Sequence, residues 1–362
     1  MPRLFLGNFE FEHRLADLSR QLSRNLERIN AELAMSWLAI ADDGDLIWTP
    51  QQIEPEFLDR LRQSGLPTVI PVTSLDNLPA DLEVVPWGWT DEVRRSCDAC
   101  DWCRNFPSQA AVRATNSRRF SSDLEQEWQV GLAGAGQVGS LDDVQQRIKQ
   151  FDPASRWVIK AEFGMSGRER IVGSGIPGDS QSRWIQKRLE DDGILFFEPW
   201  VDRVSEVGIQ IEIPQSGAPV LVGVVPLMSD ERGQYSGSEF APKAADSILA
   251  TWDAAITISL QAASRAQQLG YFGPIGIDAM QYRDHEGVTR FRPLQDINAR
   301  WTMGRLSLGW RRFLNANESG SWRFGTTNLS DTANCRVIET SPRTIGGSPA
   351  HHVSRVIFCR DQ

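Results

Sequence analysis

Two aspartates expected to face one another set the tightest constraint on this chain. Residues 275–283 and 288–297 read as the two strands of a hairpin, rich in Ile, Met, Tyr, Phe and Val. A five-residue turn from His285 to Thr289 pairs Asp284 with Arg290 and, counting back, sets Asp278 opposite Asp296. Two carboxylates about 5 Å apart repel unless a cation lies between them. Asn298, two positions after Asp296, shares its strand face, and Arg300 continues it. Hard oxygen donors of this kind suit magnesium, with manganese as the alternative. The same run of polar residues would also suit a strand facing solvent.

The rest of the chain must support such a hairpin with a core. Its 362 residues, 41% hydrophobic and 23% charged, suffice for two or three folding units and are too apolar for a disordered tail. No repeat of 20 to 50 residues is present, which excludes solenoids and propellers. A net charge of −9 argues against nucleic acid as a partner. The longest apolar run, residues 219–228, is half of the ~20 residues a spanning helix needs, so no membrane crossing is expected. Acidic residues stand where a signal peptide would carry its apolar stretch, and the expected location is cytoplasmic.

Five cysteines, an odd number, make a disulfide framework unexpected. Cys97, Cys100 and Cys103 are spaced either for a metal, completed through the fold by Cys335, Cys359 or the His351-His352 pair, or as half-buried thiols on a helical turn.

Strand and helix signals alternate over residues 1–110: strands at 4–6, 37–40 and 68–71, with helices through about residue 33 and over 56–62. This is an open α/β unit. From residue 116 the texture changes to a helix over 121–129, a glycine-rich stretch, and a helix capped by Ser140 with an acidic first turn. Strands ending at Lys160 and spanning 194–201 follow, then β-rich runs over 207–228, a helix over 246–269 and the hairpin. A tail over 311–362 carries closing strands near 335–339 and 353–359.

The run GAGQVG at 134–139 fits a dinucleotide-binding pattern. The segment before it is too short and glycine-interrupted for a central strand, and the next helix begins only after Ser140. An NAD-dependent oxidoreductase is therefore the least favoured reading.

Lysine is scarce beside arginine, and Lys160 is placed for chemistry. It ends the strand-like run RWVIK and precedes a loop punctuated by Gly164 and Gly167. A lysine supplies a point charge for phosphate, and glycines let backbone N–H groups approach it closely. The segment FFEPWV at 196–201 reads as a buried strand capped by an acidic residue, Glu198, and a β-edge proline, Pro199.

In order, Lys160 with its loop, Glu198-Pro199-Trp200-Val201, Asp278 and Asp296-Ile297-Asn298-Ala299-Arg300 resemble the ATP-grasp superfamily of ligases. The resemblance implies an α/β and α+β protein, with an open α/β domain at 1–110. A two-subdomain ATP-grasp fold would follow at 111–310, split near residue 200, and then a β-rich extension. It implies that Lys160 and the Gly164–Gly167 loop hold the phosphates of ATP. Glu198 with the main chain of Trp200 and Val201 would read adenine, and Glu206 would take the ribose. Asp278, Asp296 and Asn298 would ligate Mg²⁺, and Arg300 would stabilise the transferring phosphoryl group.

Two departures stand out. Asp296 replaces the family's usual Glu, and Arg118 or Arg119 stands where a lysine is common. The implied reaction is carboxylate-amine ligation of two small molecules through an acyl phosphate, releasing ADP and phosphate. The NAR segment is similar to that of ligases acting on amino acids, and Arg300, Trp301 and Arg305 would line a site for an acidic substrate such as glutamate. A non-catalytic, ATP-binding or regulatory protein is the alternative.

Overall fold

The computed structural model describes residues 1–16, 23–100, 102, 105–152, 154–164, 169–229, 235–241, 245–325 and 334–360. Cys103, Lys243 and Gly167, with most of the loop after Gly164, lie outside the described residues.

In the N-terminal unit β1 (Arg3–Leu6), β2 (Leu46–Trp48), β3 (Ile70–Val72) and β4 (Glu83–Pro86) form a parallel sheet in the order β3-β2-β1-β4. Parallel strands buried on both faces read as continuous apolar runs, and Leu4, Phe5 and Leu6 of β1 are all buried. Helices α1 (Phe11–Ala16), α2 (Arg24–Leu33), α3 (Pro55–Gln63) and α4 (Asp91–Cys100) complete the unit. The strand expected at 37–40 is instead part of a 3₁₀ helix, Ala34–Ala39, continuing from α2 with all six residues buried. An uninterrupted apolar run carries no period that separates strand from buried helix. Trp37 within it stacks on Phe5 at 5.0 Å and meets Trp87 and Trp301 edge-on.

Helices α5 (Gln109–Asn116) and α6 (Arg118–Trp128) lead into a four-stranded antiparallel sheet, ordered β5-β8-β6-β7. Its strands are β5 (Gly136–Val138), β6 (Arg156–Lys160), β7 (Arg170–Ser174) and β8 (Leu195–Pro199). Helices α7 (Leu141–Ile148) and α8 (Asp179–Asp192) accompany it, and its own core includes Trp157, Ile159, Ile185 and Phe197. Ser140 caps α7 as expected, accepting the Asp143 N–H. The GAGQVG run does not form a strand-to-helix phosphate loop. Its last residues make β5, paired antiparallel to β8, and Gly134 turns the chain at φ +79°.

The third sheet has eight antiparallel strands. They are β9 (Asp202–Ile213), β10 (Val220–Ser229), β11 (Tyr235–Ala241), β12 (Gly273–Arg283), β13 (Thr289–Asn298), β14 (Glu318–Phe324), β15 (Cys335–Glu339) and β18 (Ser354–Arg360). The short strands β16 (Thr344–Ile345) and β17 (Ser348–Pro349) pair with each other, and the large sheet runs β13-β12-β9-β10-β11-β14-β18-β15. Strands from the tail thus continue the sheet that carries the hairpin. Helix α9 (Ala245–Gln268) packs across β9, β10 and β13, and α10 (Met303–Gly309) follows the hairpin.

The cysteines depart from expectation: Cys335 and Cys359, directly opposite each other on β15 and β18, form a disulfide. Spacing in sequence gave no sign of it, because the two meet only through strand pairing. Cys97 is buried and Cys100 partly buried, both on α4, and no metal-holding group of three His, Cys, Asp or Glu exists among the described residues. Nor is any described helix long and apolar enough to cross a membrane.

Candidate nucleotide and metal site

The hairpin of β12 and β13 positions the two aspartates. Its turn pairs Arg283 with Thr289 and Tyr282 with Arg290, two residues out of the register expected from Asp284 and Arg290. Asp284 instead accepts the N–H groups of Glu286 and Val288 and the Arg290 Nε. A β-bulge between Asp278 and Met280 then absorbs the difference and restores Asp278 opposite Asp296. The facing pair is as expected, but the bulge rather than the turn produces it.

Asp278 is partly buried in the cavity wall, and its carboxyl is pushed up to about 8, first by desolvation and then by the charges of Asp296 and Glu206. Glu206 reaches the cluster from β9, opposite Met280, where it accepts Arg203 at 3.0 Å and the Gln295 amide at 2.9 Å. Arg118 opens α6, whose Ser117 cap accepts the Arg119 N–H, and its guanidinium lies 3.2 Å from Asp296. Arg119 turns away towards Glu162 and is half exposed. Between the two arginines, only Arg118 lines the main cavity.

Lys160, at the end of β6, is partly buried with its Nζ 2.7 Å from Glu198 Oε2. Glu198 on β8 also receives Arg292 of β13 at 2.9 and 3.1 Å, and Arg292 in turn binds both oxygens of Glu125 on α6 at 2.6 and 2.9 Å. The four side chains are at most 13% exposed. Burial raises the Glu198 carboxyl, but Arg292 and Lys160 outweigh it and hold the group well below the usual carboxylate range. For Lys160 burial prevails over Glu198 and lowers its pKa. Burial likewise keeps Glu125 above its ordinary value in spite of Arg292.

This chain of charges ties the small sheet, α6 and the large sheet together beside the phosphate candidate. Arg292 and Glu125 were not legible as site residues in sequence. The one available signal is that Arg292 shares strand parity with Leu294, which is fully buried.

Arg300 is committed in three directions, to Glu12 of α1, to the Asn298 amide oxygen at 2.9 Å and to the Trp301 carbonyl, with its guanidinium 5.0 Å from the Trp87 ring centroid. Glu12, buried in an aromatic stretch, is a third residue the sequence did not mark. Arg305 is placed apart from the expected acceptor site. It pairs with Glu212 and is absent from the lining of the main cavity.

That cavity, of about 380 Å³, brings together Arg118, Lys160, Gly164, Glu206, Asp278, Asp296, Asn298 and Arg300. An adjoining cavity of about 60 Å³ is lined by Lys160, Glu198, Trp200, Val201 and Met280. Two details alter the picture of the nucleobase slot: the Glu198 carboxylate is consumed by Lys160 and Arg292, and the Trp200 N–H donates to Arg156 at 2.9 Å. The Trp200 ring lies near the guanidinium groups of Arg156 and Arg203, 4.6 and 5.8 Å from its centroid.

The donor set fits magnesium brought by a nucleotide. Two carboxylates and an amide oxygen are too few for a protein-only cage, and Mg²⁺ is ordinarily held by one or two carboxylates together with substrate phosphates. Desolvation first, and the facing Asp296 second, disfavour charge on Asp278, and a cation held between the two carboxylates would offset both.

No protein-family model and no curated protein sequence matches the chain. Solved structures match it over nearly its whole length. Biotin carboxylase from Campylobacter jejuni, in a β-γ-ATP complex, aligns with a TM-score of 0.55 at 14% identity, covering 99% of this chain and 88% of its own. N5-carboxyaminoimidazole ribonucleotide synthetase from Thermus thermophilus aligns with a TM-score of 0.55 at 13% identity, covering 100% and 94%. The biotin carboxylase domain of 2-oxoglutarate carboxylase from Hydrogenobacter thermophilus, with MgADP, ADP and bicarbonate, gives 0.50 at 11%, covering 99% and 86%. The fold shared with these proteins is the ATP-grasp fold, and the chain is a mixed α/β protein of that architecture. At such identities it is the fold that the likeness carries.

Proposed function

We propose that the protein is an ATP- and Mg²⁺-dependent ligase that joins a small carboxylate to a small amine through an acyl phosphate. The observation that carries this reading is the placement of Asp278 opposite Asp296, with Asn298 on the same strand, in one cavity with Lys160 and Arg118. In it, Asp278, Asp296 and Asn298 would hold Mg²⁺, and Lys160, Arg118 and the loop at Gly164 would contact the nucleotide's phosphates. Trp200 and Val201 border the base and Glu206 the ribose, and Arg300, held by Glu12 and the Asn298 amide oxygen, lines the cavity on the side of the transferring group. Residues 111–310 form the ATP-grasp domain, after an α/β domain at 1–110 and before the extension at 311–362.

The chemistry asks for charge stabilisation and positioning rather than a side-chain nucleophile. A carboxylate oxygen attacks the γ-phosphorus and ADP departs. The amine then attacks the carbonyl carbon, the new C–N bond forms and phosphate leaves with the C–O electrons. Mg²⁺ supplies neutralisation of the phosphate charge. A glutamate-like acidic substrate loses support, because Arg305 is occupied by Glu212 and Arg300 by Glu12.

A binding-only protein is favoured by one observation, the Arg118 guanidinium beside Asp296, where it competes with a metal ion. ADP release is to be measured with ATP, Mg²⁺, a carboxylate (bicarbonate or L-glutamate) and an amine. Release that requires all components supports the ligase. Tight ADP binding with no release under any combination supports the binding protein.

A further inference from the structure

The main cavity holds one imidazole among the described residues, that of His352, which lies outside the nucleotide machinery in the segment between β17 and β18. Its surroundings are built. Glu32 of α2, with a fully buried side chain, accepts the backbone N–H of His351 at 2.9 Å, the N–H of His352 at 3.2 Å and the His352 Nδ1 at 2.5 Å. Arg28 Nε approaches the same carboxylate at 3.3 Å.

Burial pushes the Glu32 carboxyl up, but the bonds from His352 and His351, the charge of Arg28 and, when its ring is protonated, that of His352 hold it below its ordinary value. An ionised carboxylate can only accept, so Nδ1 carries the hydrogen and the other ring nitrogen of a neutral imidazole keeps its lone pair. The two backbone bonds would suffice to tie the segment to α2. The third bond fixes the ring.

We propose that His352, oriented by Glu32, is the general base that takes a proton from the acceptor amine, and that the acceptor is an aliphatic amine with an apolar body. This rests on the ligase reading above. Aliphatic amines are ammonium ions at neutral pH, and an ammonium nitrogen has no lone pair to attack an acyl phosphate. One N–H bond of the ammonium breaks and its proton goes to the free nitrogen of His352; the lone pair so released forms the C–N bond as phosphate departs with the C–O electrons, and the second proton, lost from the nitrogen as the amide forms, goes to that phosphate. The apolar body is matched by Phe9, Ile29, Leu33 and Phe324, which line the cavity with His352. The charged groups around the ring are Glu32 and Arg28, the latter engaged also by His351.

The test uses the full chain with ATP, Mg²⁺ and bicarbonate or L-glutamate, and compares n-butylamine with hydroxylamine, which is already unprotonated at neutral pH. His352→Gln is expected to lower the butylamine-dependent rate by about 100-fold, the scale of general-base catalysis. The hydroxylamine-dependent rate falls far less, and the butylamine deficit shrinks as pH rises. Glu32→Gln gives a partial version of the same split, and ¹⁵N spectra of the parent show the Nδ1–H tautomer. Equal losses with both nucleophiles, or an Nε2–H tautomer, would overturn the base assignment while leaving the ligase standing. A parent that releases no ADP with either nucleophile removes the ligase reading, and the base with it.

Discussion

Asp278 and Asp296 stand directly opposite each other on β12 and β13, and the Arg118 guanidinium lies 3.2 Å from Asp296. Without a metal the arginine offsets part of the repulsion, yet the Asp278 carboxyl still lies near 8. Desolvation and the facing carboxylate both disfavour the charged form of Asp278, so neutralising it is informative. Asp278→Asn should leave the metal-free protein as stable as the parent or raise its melting temperature, while abolishing the rise that Mg²⁺ with ADP gives the parent. Calorimetry with EDTA and with Mg²⁺-ADP checks both halves.

Arg292 is the keystone of the buried charges, since among the described residues it alone binds both Glu125 and Glu198. Removing one partner of a buried ion pair leaves the others desolvated and unpaired, at a cost of about 3 to 5 kcal/mol. Arg292→Ala should lose about that much in urea unfolding. Arg292→Ala combined with Glu125→Gln and Glu198→Gln should recover a good part of it.

The same network sets an acid limb. The Glu198 carboxyl lies below its ordinary value of 4.5 in the folded protein, so its stabilisation is fully present above that pH and is lost as pH falls from there towards the folded value. Glu125, raised by burial, works in the opposite sense above its own ordinary value, where stability declines as pH rises. Glu198→Gln should thus flatten the loss of stability below about pH 4.5, measured as melting temperature against pH.

Lys160→Ala should weaken nucleotide binding by roughly 1.5 to 3 kcal/mol, the value of a charge-assisted hydrogen bond. Because Glu198 keeps Arg292, the variant should still fold, with a modest loss of stability. Unchanged ADP affinity by titration calorimetry would reject a phosphate role for Lys160.

The Cys335–Cys359 disulfide closes a loop that contains His352 and ties β15 to β18. Replacing both cysteines by serine should cost about 3 kcal/mol in the chain-entropy account. Urea unfolding of the double variant beside the parent, both without reductant, measures it.

What was legible in sequence follows from how local each signal is. The strand that ends at Lys160, the Ser140 cap and the strand parity of Asp296 and Asn298 depend on neighbours a few residues away, and the structure has each of them. The Asp278–Asp296 pairing was reached by counting from the wrong turn register, and an unseen bulge cancelled the error. Contacts across the chain left no trace: Glu12 meets Arg300 over 288 positions, and Glu125 meets Arg292 over 167. The Arg118 contact with Asp296 belongs to the same kind, which is why sequence left Arg118 and Arg119 equivalent while α6 separates them.

Oxygen transfer tests the central claim most directly. The protein is to be incubated with ATP, Mg²⁺, n-butylamine and ¹⁸O-labelled bicarbonate or L-glutamate, and the released phosphate weighed by mass spectrometry. An acyl phosphate that breaks at its C–O bond leaves one carboxylate oxygen on the phosphate, so the account predicts phosphate carrying a single ¹⁸O, in amount equal to the ADP formed and absent in Asp296→Asn. Phosphate that carries oxygen only from water, or bound ATP that is never turned over, would contradict it.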